Sequence, residues 1–266
     1  MSGESIFDDD ASRKLEAAYL TPDVVAQRRE TLRALSLQPG ERILDIGAGP
    51  GLLVAEMAET VGPSGRVTGL EISDSMLALG RRRCTGPSIR GRVAFVKADA
   101  VALPFPDGTF DAAVSTQVYE YVADLKAALA ELHRVLRPGG RVLIIDTDWD
   151  SIVWNATDQE RMHRLLSAWT KRFADPHLPR TLSRQLQDAG LQVRHREVLV
   201  LFNPQYDSDT FSVANGEIMA DFAVAQHAMT QDDAEAWMQD LQRLGREGRY
   251  FFSLNRYLFM ATKYQS

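Results

Sequence analysis

A glycine-rich turn between an apolar segment and a helical segment is the first feature of this sequence that could do chemistry. Residues 41–51 read Glu-Arg-Ile-Leu-Asp-Ile-Gly-Ala-Gly-Pro-Gly, and helical spacing of apolar residues begins at Leu52. Gly47, Gly49 and Gly51 have no Cβ atom, so backbone can approach a ligand closely there. Backbone N–H groups at a helix start also attract polar ligands. The segment therefore predicts a site for a nucleotide-like ligand.

Acidic residues stand where two later strands are predicted to end. Glu71 follows Gly47 by 24 positions (71 − 47), a spacing at which an acidic residue can accept hydrogen bonds from ribose hydroxyls. Asp99 ends the next predicted strand and can accept a hydrogen bond from an exocyclic amine such as that of adenine. Ligands of open α/β sheets bind at the carboxyl ends of the strands, so these acids should line one crevice. Other strand-end residues expected there are Asp45, Ser115 and Asp146.

The charge of Asp45 bears on what the ligand is. Dinucleotide sites have the form Gly-x-Gly-x-x-Gly, but Leu52 stands at the sixth position here. A carboxylate beside the turn disfavours a pyrophosphate and favours a cation, such as an α-amino group or a sulfonium. The pattern fits a nucleoside joined to an amino acid better than one joined to phosphates.

Strands and helices must alternate to position these residues. Helical spacing covers about residues 11–37, with a break at Thr21-Pro22 where Thr21 is the expected N-cap. The elements predicted next are strand 42–46, a helix from 52, strand 66–71, helix 74–83, strands 93–97 and 110–115, helix 125–136 and strand 141–146. Apolar strands in a βαβ rhythm predict a parallel sheet covered on both faces.

After residue 146 the rhythm changes. The predicted elements there are helices 159–173, 182–189 and 232–244, strands 192–202 and 250–262, and helical insertions within 207–230. Two late strands separated by a helix predict an antiparallel edge pair. The fold class is therefore α/β: a Rossmann-like, doubly wound, mainly parallel seven-stranded sheet with an antiparallel edge strand and helical lid insertions.

We expect a single domain over residues 1–266. Its parts are an N-terminal helical lid (1–37), a ligand-binding core (38–146), lid insertions on the substrate side (147–180 and 207–230) and the C-terminal strands (190–202 and 250–262).

Composition narrows the classes of function. The chain is 45% hydrophobic with a net charge of −6, which argues against nucleic-acid binding because that usually needs a basic face. Its one cysteine, Cys84, excludes an internal disulfide and a multi-thiolate metal site. Residues 115–117 offer no carboxylate, so no metal is predicted. No apolar stretch reaches the roughly 20 residues of a membrane span, and the acidic start does not resemble a signal peptide. We therefore expect a cytoplasmic protein.

Five motifs in order resemble the class I S-adenosylmethionine-dependent methyltransferases. They are residues 43–51 (ILDIGAGPG), 69–76 (GLEISDSM), 97–100 (KADA), 103–111 (LPFPDGTFD) and 136–143 (LRPGGRVL). The resemblance covers about residues 38–146 and is to the small-molecule group, similar to ubiquinone and menaquinone C-methyltransferases and natural-product methyltransferases. It implies S-adenosyl-L-methionine as cofactor.

The resemblance also implies a role for individual residues. The turn residues Gly47, Ala48, Gly49 and Gly51 would let backbone pass the methionine moiety, and Asp45 would favour its amino group. Those expected at the nucleoside are Glu71 at the ribose, Ile72 and Met76 on the adenine faces, and Asp99 with Ala100 at the adenine amine. Those expected at the methionine end are Ser115 and Gln117 below it, and Tyr19 and Arg28, which either close over the carboxylate or only pack.

The acceptor side offers fewer signals. Transfer from a sulfonium is an in-line displacement that mainly needs alignment in a dry pocket, and a base is needed only where the acceptor must lose a proton. The candidate catalytic residues are Asp148, Tyr121 and Tyr119, with Asp148 first. Trp149 and Trp154 either form an aromatic wall for the substrate or pack the lid onto the sheet.

The expected function is S-adenosylmethionine-dependent methyl transfer to an O, N or C nucleophile of a small-molecule metabolite, with O or N preferred. The alternative uses bound S-adenosylmethionine as a scaffold for a cyclase or isomerase reaction. A non-enzymatic binding module and a nicotinamide oxidoreductase are less favoured. The expected partner is a small-molecule methyl acceptor, without nucleic acid or membrane, and the chain is expected to be a monomer or homodimer.

Overall fold

The computed structural model of the protein describes residues 9–264. Its elements in this range are α1 (Asp9–Tyr19), α2 (Pro22–Leu35), β1 (Arg42–Ile46), α3 (Leu52–Thr60), β2 (Arg66–Glu71), α4 (Asp74–Arg83), β3 (Val93–Lys97), β4 (Phe110–Thr116), α5 (Leu125–Val135), β5 (Leu136–Thr147), β6 (Val153–Trp154), α6 (Gln159–Thr170), α7 (Pro179–Asp188), β7 (Leu191–Asn203), α8 (Phe211–Ala225), α9 (Gln231–Arg246) and β8 (Phe252–Lys263). Single 3-10 turns, Tyr119–Tyr121 and Trp149–Ser151, follow β4 and β5.

The described strands form one sheet whose central part is parallel. Strands β3, β2, β1, β4 and β5 lie side by side in that order, all parallel. Strand β8 runs antiparallel to β5 on one side and to β7 on the other. The two-residue β6 pairs with the start of β8. It brings the number of described strands to eight, one more than the seven that the sequence predicted. The predicted fold class, a Rossmann-like and mainly parallel sheet with an antiparallel part, is confirmed.

Polarity explains why β8 lies inside the sheet and β7 at its edge. Most of β8 is buried or half-buried, whereas β7 exposes the run Arg194–Arg196. Charged side chains on an edge strand discourage further strands from pairing there. The later strand therefore takes the more apolar inner position.

Alternate residues of the parallel strands face two separate apolar clusters. Leu44 of β1 and Ile144 of β5 pack with α5 and α7 on one face, and their neighbours Ile43 and Leu143 pack with α2 and α3 on the other. Both faces are covered, so the strands read as continuous apolar runs. The strand order reverses between β1 and β4, the point where open α/β sheets place their ligands.

A third cluster joins the lid segments to the start of β8. All four tryptophans belong to it: Trp149, Trp154, Trp169 and Trp237. Trp149 stacks on Phe173, and Trp154 makes edge contacts with Trp237. Of the two alternatives for Trp149 and Trp154, the structure shows the packing of the lid onto the sheet.

Gly51 is the N-cap of α3, and its Cα is closely packed against neighbouring residues. Its φ is +75°, and a Cβ atom would lie 2.9 Å from Gly80 Cα and 3.0 Å from Phe95 Cζ. We expect Gly51→Ala to lower the free energy of unfolding by about 1–3 kcal/mol more than Gly91→Ala, because overpacking adds to backbone strain. Gly91 is the matched control, with φ +77° and nothing within 4 Å of an added Cβ. Urea unfolding of both variants measures the difference, and equal losses would show that the contact of α3 with α4 tolerates a methyl group.

Candidate functional site

A cavity of about 610 Å³ lies at the carboxyl ends of β1, β2 and β4. It is closed on the far side by residues of α1, α2, the segment after α6, and β8. The predicted site residues that line it are Tyr19, Arg28, Asp45, Gly47, Ala48, Gly49, Glu71, Ile72, Met76, Asp99, Ala100, Gln117 and Tyr121. The structure therefore brings most of the predicted residues to one crevice at the switch point of the sheet.

Among the predicted residues, Ser115 and Tyr119 are buried and do not line the cavity. Ser115 is fully buried in β4, between Ile46 of β1 and Ile144 of β5. Tyr119 is buried in the cluster beneath α5, and burial raises the pKa of its hydroxyl. Strand alternation turns Ser115 into the core, and Thr116 lines the cavity in its place. Gly51, which packs against α4, also lies outside the lining.

Asp148, the first candidate for contact with the acceptor, is engaged in an ion pair instead. Its carboxylate accepts hydrogen bonds from Arg180 Nε at 2.7 Å and Nη2 at 2.9 Å, and lies 3.2 Å from His177 Nδ1. Partial burial would raise the pKa of Asp148, but the hydrogen bonds from Arg180 and His177 outweigh it and hold the pKa below its ordinary value. Asp150 also binds Arg180, at 2.6 Å. The pairing ties the loop after β5 to α7 and gives no support to a role at the acceptor.

The glycine turn presents one open position to the cavity. Gly47 and Ala48 both donate their N–H groups to Leu70 O, at 2.8 and 2.9 Å. A Cβ on Gly47 would lie 2.2 Å from Val118 Cγ2, so this glycine is required for packing. A Cβ on Gly49, with φ +52°, would meet no atom within 4 Å. Gly49 is therefore the glycine whose missing side chain leaves room in the cavity.

The carboxylate of Glu71 is fixed by the backbone around it. Its Oε1 accepts from the N–H groups of Ile72 at 2.8 Å and Ser73 at 3.0 Å, and its Oε2 from Gly49 at 2.9 Å. A carboxylate has about four lone-pair positions, so Oε2 retains capacity for a hydroxyl donor. Glu71 is thus a pre-oriented acceptor at the tip of β2.

Asp99 holds its own turn in the same way at the tip of β3. Its Oδ1 accepts from Val101 N–H at 3.1 Å. Its Oδ2 has no partner among residues 9–264 and can accept a hydrogen bond from a ligand.

Asp45 lines the cavity without any donor to its Oδ1. Asp45 is 2% exposed, and its Oδ1 has no hydrogen-bond partner in the described part of the chain. Burial, and then the charge of Glu71, raise the pKa of Asp45 to about 8. A buried carboxylate without a donor is costly unless a cation meets it. The site fits a ligand that brings an ammonium group to this wall.

Arg28 and Tyr19 are tied to each other beside the glycine turn. Arg28 Nε donates to Glu56 Oε1 at 2.7 Å and its Nη1 to Tyr19 O at 3.0 Å. These contacts join α1, α2 and α3 at the cavity rim. Burial raises the pKa of the Tyr19 hydroxyl, so it is a donor at neutral pH.

Sequence reasoning missed two arginines on the opposite wall. Arg172 follows α6, and Arg256 lies in the middle of β8, opposite Thr147 of β5. Arg256 Nη1 donates to Gln27 Oε1 at 2.8 Å. A single arginine within the apolar run of residues 250–262 was the available signal, since a charge in an inner strand needs a local reason.

Glu120 is a buried acid behind this wall. Its Oε2 accepts from Trp149 Nε1 at 3.1 Å and from Thr147 N–H at 3.3 Å. Burial raises the pKa of Glu120 to about 7, although these hydrogen bonds and the charges of Arg256 and Arg172 oppose the rise. Burial, and then the charge of Glu120, raise the pKa of Asp146 as well. Glu120 is therefore partly protonated at neutral pH, and burial disfavours the ionised form of Asp146.

Tyr121 is the one predicted catalytic residue that faces the cavity. Burial raises the pKa of its hydroxyl, so Tyr121 stays protonated at neutral pH and can donate a hydrogen bond to a ligand. It cannot remove a proton from an acceptor under those conditions. The lining contains no histidine among the described residues.

Comparison with known proteins assigns the core. Residues 44–144 match the family model of a methyltransferase domain. A ubiquinone/menaquinone biosynthesis C-methyltransferase of Marinomonas sp. is 38% identical over 149 residues, covering 56% of this chain and 59% of that protein. The chain spans about half the length of the curated relatives that it matches.

Solved structures show the same fold over nearly the whole chain. A Haemonchus contortus phosphoethanolamine N-methyltransferase in complex with S-adenosyl-L-methionine has a TM-score of 0.64 and 21% identity, covering 98% of this chain and 58% of that one. The [4+2]-cyclase SpnF has a TM-score of 0.61 and 21% identity, covering 91% and 82%. Residues 44–144 therefore match a methyltransferase domain, and the described chain has the fold of these solved structures.

Proposed function

We propose that this protein is an enzyme that transfers the methyl group of S-adenosyl-L-methionine to an O, N or C nucleophile of a small-molecule metabolite. The observation that carries the proposal is the order of groups along one wall of the cavity. The wall begins with Asp45, a buried carboxylate that receives no hydrogen bond at Oδ1, and continues with Gly49, which leaves open space. It ends with the two strand-end acceptors Glu71 and Asp99. An amino acid joined to a nucleoside presents an ammonium, a diol and an exocyclic amine in the same order.

Each part of this wall then has one task. Asp45 would receive the ammonium of the methionine moiety, and Gly49 would leave space for its backbone-like atoms. Glu71 would accept from a ribose hydroxyl through the free capacity of Oε2, and Asp99 Oδ2 from the adenine amine. Ile72 and Met76, which line the same wall, would pack on the adenine faces.

The chain's contribution to transfer is alignment and exclusion of water. When bound, S-adenosyl-L-methionine supplies an electrophilic methyl on a sulfonium, whose thioether leaves without an acid. Helices α1 and α2 and Arg172, after α6, line the cavity opposite the strand ends and limit the access of water to the acceptor. Tyr121 would orient the acceptor as a donor. With no strong base at the described lining, the preferred acceptors are nucleophiles that have a free lone pair or are already ionised at neutral pH, which favours O or N over unactivated C.

The acceptor is proposed to be a small molecule and not a macromolecule. The lid insertions pack tightly by their aromatic side chains, and the chain carries a net charge of −6. Within residues 9–264 no helix has both the length and the apolarity needed to cross a membrane. The monomeric or homodimeric state and the cytoplasmic location remain predictions from the sequence.

Binding of S-adenosylhomocysteine tests the cofactor wall. We expect Glu71→Gln to weaken binding about 10- to 100-fold, because it removes a charged acceptor and sets an NH₂ group against backbone N–H donors. Asp99→Asn should weaken it about 3- to 10-fold. Asp107→Asn is the matched control, since Asp107 is an exposed acid on Arg134 outside the cavity. Isothermal calorimetry on folded variants measures all three, and wild-type affinity in Glu71→Gln would contradict the assignment.

Incubation with a methyl-labelled donor and a metabolite extract separates methyl transfer from the scaffold alternative. A labelled product supports methyl transfer. A product that needs the donor to be present but carries no label would show a cyclase or isomerase instead.

A further inference from the structure

We propose that the methyl acceptor carries a carboxylate group, which Arg172 and Arg256 bind. This proposal rests on the proposed function, because it assigns the acceptor half of the same cavity. The juxtaposition that carries it is two cavity-lining guanidinium groups, from separate parts of the chain, that lack an acidic partner.

Neither arginine forms an ion pair within the described range. No carboxylate of residues 9–264 comes within 4.0 Å of either guanidinium, and the Nε atoms of both are buried without a hydrogen-bond partner. Arg256 is 3% exposed and has one hydrogen bond, to the neutral side chain of Gln27. A buried cation without a counter-charge is costly. The site thus has an unmet requirement for an anion.

The nearest acid does not meet this requirement. Oε2 of Glu120 already accepts hydrogen bonds from Trp149 and Thr147, and the raised pKa of Glu120 keeps it partly protonated at neutral pH. Asp23 and Asp146 also act on Arg256 electrostatically, but neither forms an ion pair with its guanidinium among the described residues. The two arginines thus lack a direct ionic partner, which a carboxylate can supply through bidentate hydrogen bonds.

Aromatic side chains hold the two guanidinium groups in place. Arg172 Cζ lies 4.2 Å from the ring centroid of Trp169 and 5.5 Å from that of Tyr121. Arg256 Cζ lies 4.7 Å from the ring centroid of Phe211. Stacked guanidinium groups keep their N–H edges free for bidentate bonds to a carboxylate. The Tyr121 hydroxyl, on the same side, is a further donor.

The position of Arg172 and Arg256 in the cavity favours contact with the acceptor over contact with the cofactor. The cofactor wall lies on β1, β2 and β3, whereas Arg256 lies on β8, two strands beyond β4. Neighbouring strands are about 4.8 Å apart, so β8 is roughly 10 Å from β4. Arg28, which also lines the cavity, is the cation that the sequence predicted for the cofactor's own carboxylate.

The test sorts acceptors by charge before the reaction. A metabolite extract is separated by anion exchange, and each fraction is incubated with protein and methyl-labelled S-adenosylmethionine. We expect label from the retained, anionic fraction, and a rate at limiting acceptor that falls at least 30-fold in Arg172→Gln and in Arg256→Gln. Arg249→Gln is the control, because Arg249 is an exposed arginine outside the cavity.

Calorimetry with S-adenosylhomocysteine separates the rival explanations. Affinity within about threefold of wild type in both glutamine variants supports a role on the acceptor. A loss of tenfold or more would assign the arginines to the cofactor and overturn the proposal, as would label arising only from the unretained fraction. Label in no fraction, with cofactor binding intact, would refute methyl transfer to a metabolite and the carboxylate with it.

Discussion

Gly49→Ala should weaken S-adenosylhomocysteine binding about 10- to 100-fold while leaving the protein folded. The added methyl group would project into the open part of the cavity, where it meets no protein atom within 4 Å. The protein therefore has no steric reason to reject it, but a ligand that fills this space does. A clash of that kind costs about 1–3 kcal/mol, which sets the expected range. Calorimetry at constant pH gives the affinity.

The matched control for this prediction is Gly62→Ala. Gly62 also has a positive φ, +68°, and nothing within 4 Å of an added Cβ, but it lies in the turn after α3, away from the cavity. Both variants should lose about 1 kcal/mol of stability from backbone strain. Only Gly49→Ala should lose affinity. Equal affinities in the two variants would mean that no ligand approaches this glycine.

The parallel half of the fold could be predicted closely because each of its elements is specified locally. Strands β1, β2 and β3 and helix α4 have the predicted bounds, since apolar runs are bounded by glycine turns and an N-cap serine. The end of α5 and the start of β5 differ because Leu136 already pairs with Phe110 of β4, and an irregular register follows before Arg141 pairs with Ala112. That pairing depends on Phe110 of β4, a contact that local sequence does not encode.

The cofactor wall was predictable and the acceptor wall was not, for a physical reason. The cofactor wall is built by the strand tips of one continuous segment, so the spacing of its residues along the chain predicts where they lie in the fold. The second is assembled from Gln27, Arg172 and Arg256, which no sequence spacing relates. Asp148 had the right place in the chain, but Arg180, 32 positions later, removes it from the cavity.

Asp45→Asn should change stability and cofactor binding in opposite directions. The pKa of Asp45 is raised to about 8 in the folded protein, far above its ordinary value. Between about pH 4 and pH 8 the folded state therefore holds a proton that the unfolded state has lost, so this group's contribution to stability is full at low pH and falls as pH rises. Asparagine has no such proton. The stability advantage of Asp45→Asn over wild type should grow by about 1.4 kcal/mol per pH unit between pH 5 and pH 7, in the absence of ligand.

Urea unfolding of both proteins across that range measures the slope. Asp146 and Glu120 also have raised pKa values, but they are present in both proteins and cancel in the difference. A constant difference between pH 5 and pH 7 would show that Asp45 is ionised in the folded protein without ligand.

Ligand binding should release the proton that Asp45 carries in the ligand-free protein. If the ammonium of S-adenosylhomocysteine meets Asp45, the carboxyl must ionise, because an adjacent cation favours the charged form. Wild-type protein should then release close to one proton on binding at pH 6.5, and calorimetry in buffers of different ionisation enthalpy counts it. Asp45→Asn should release none and bind about 10- to 100-fold more weakly, since the ammonium loses its charged acceptor. Equal proton release by both proteins would place the ammonium elsewhere, and the unpaired Oδ1 would then be a cost without a function.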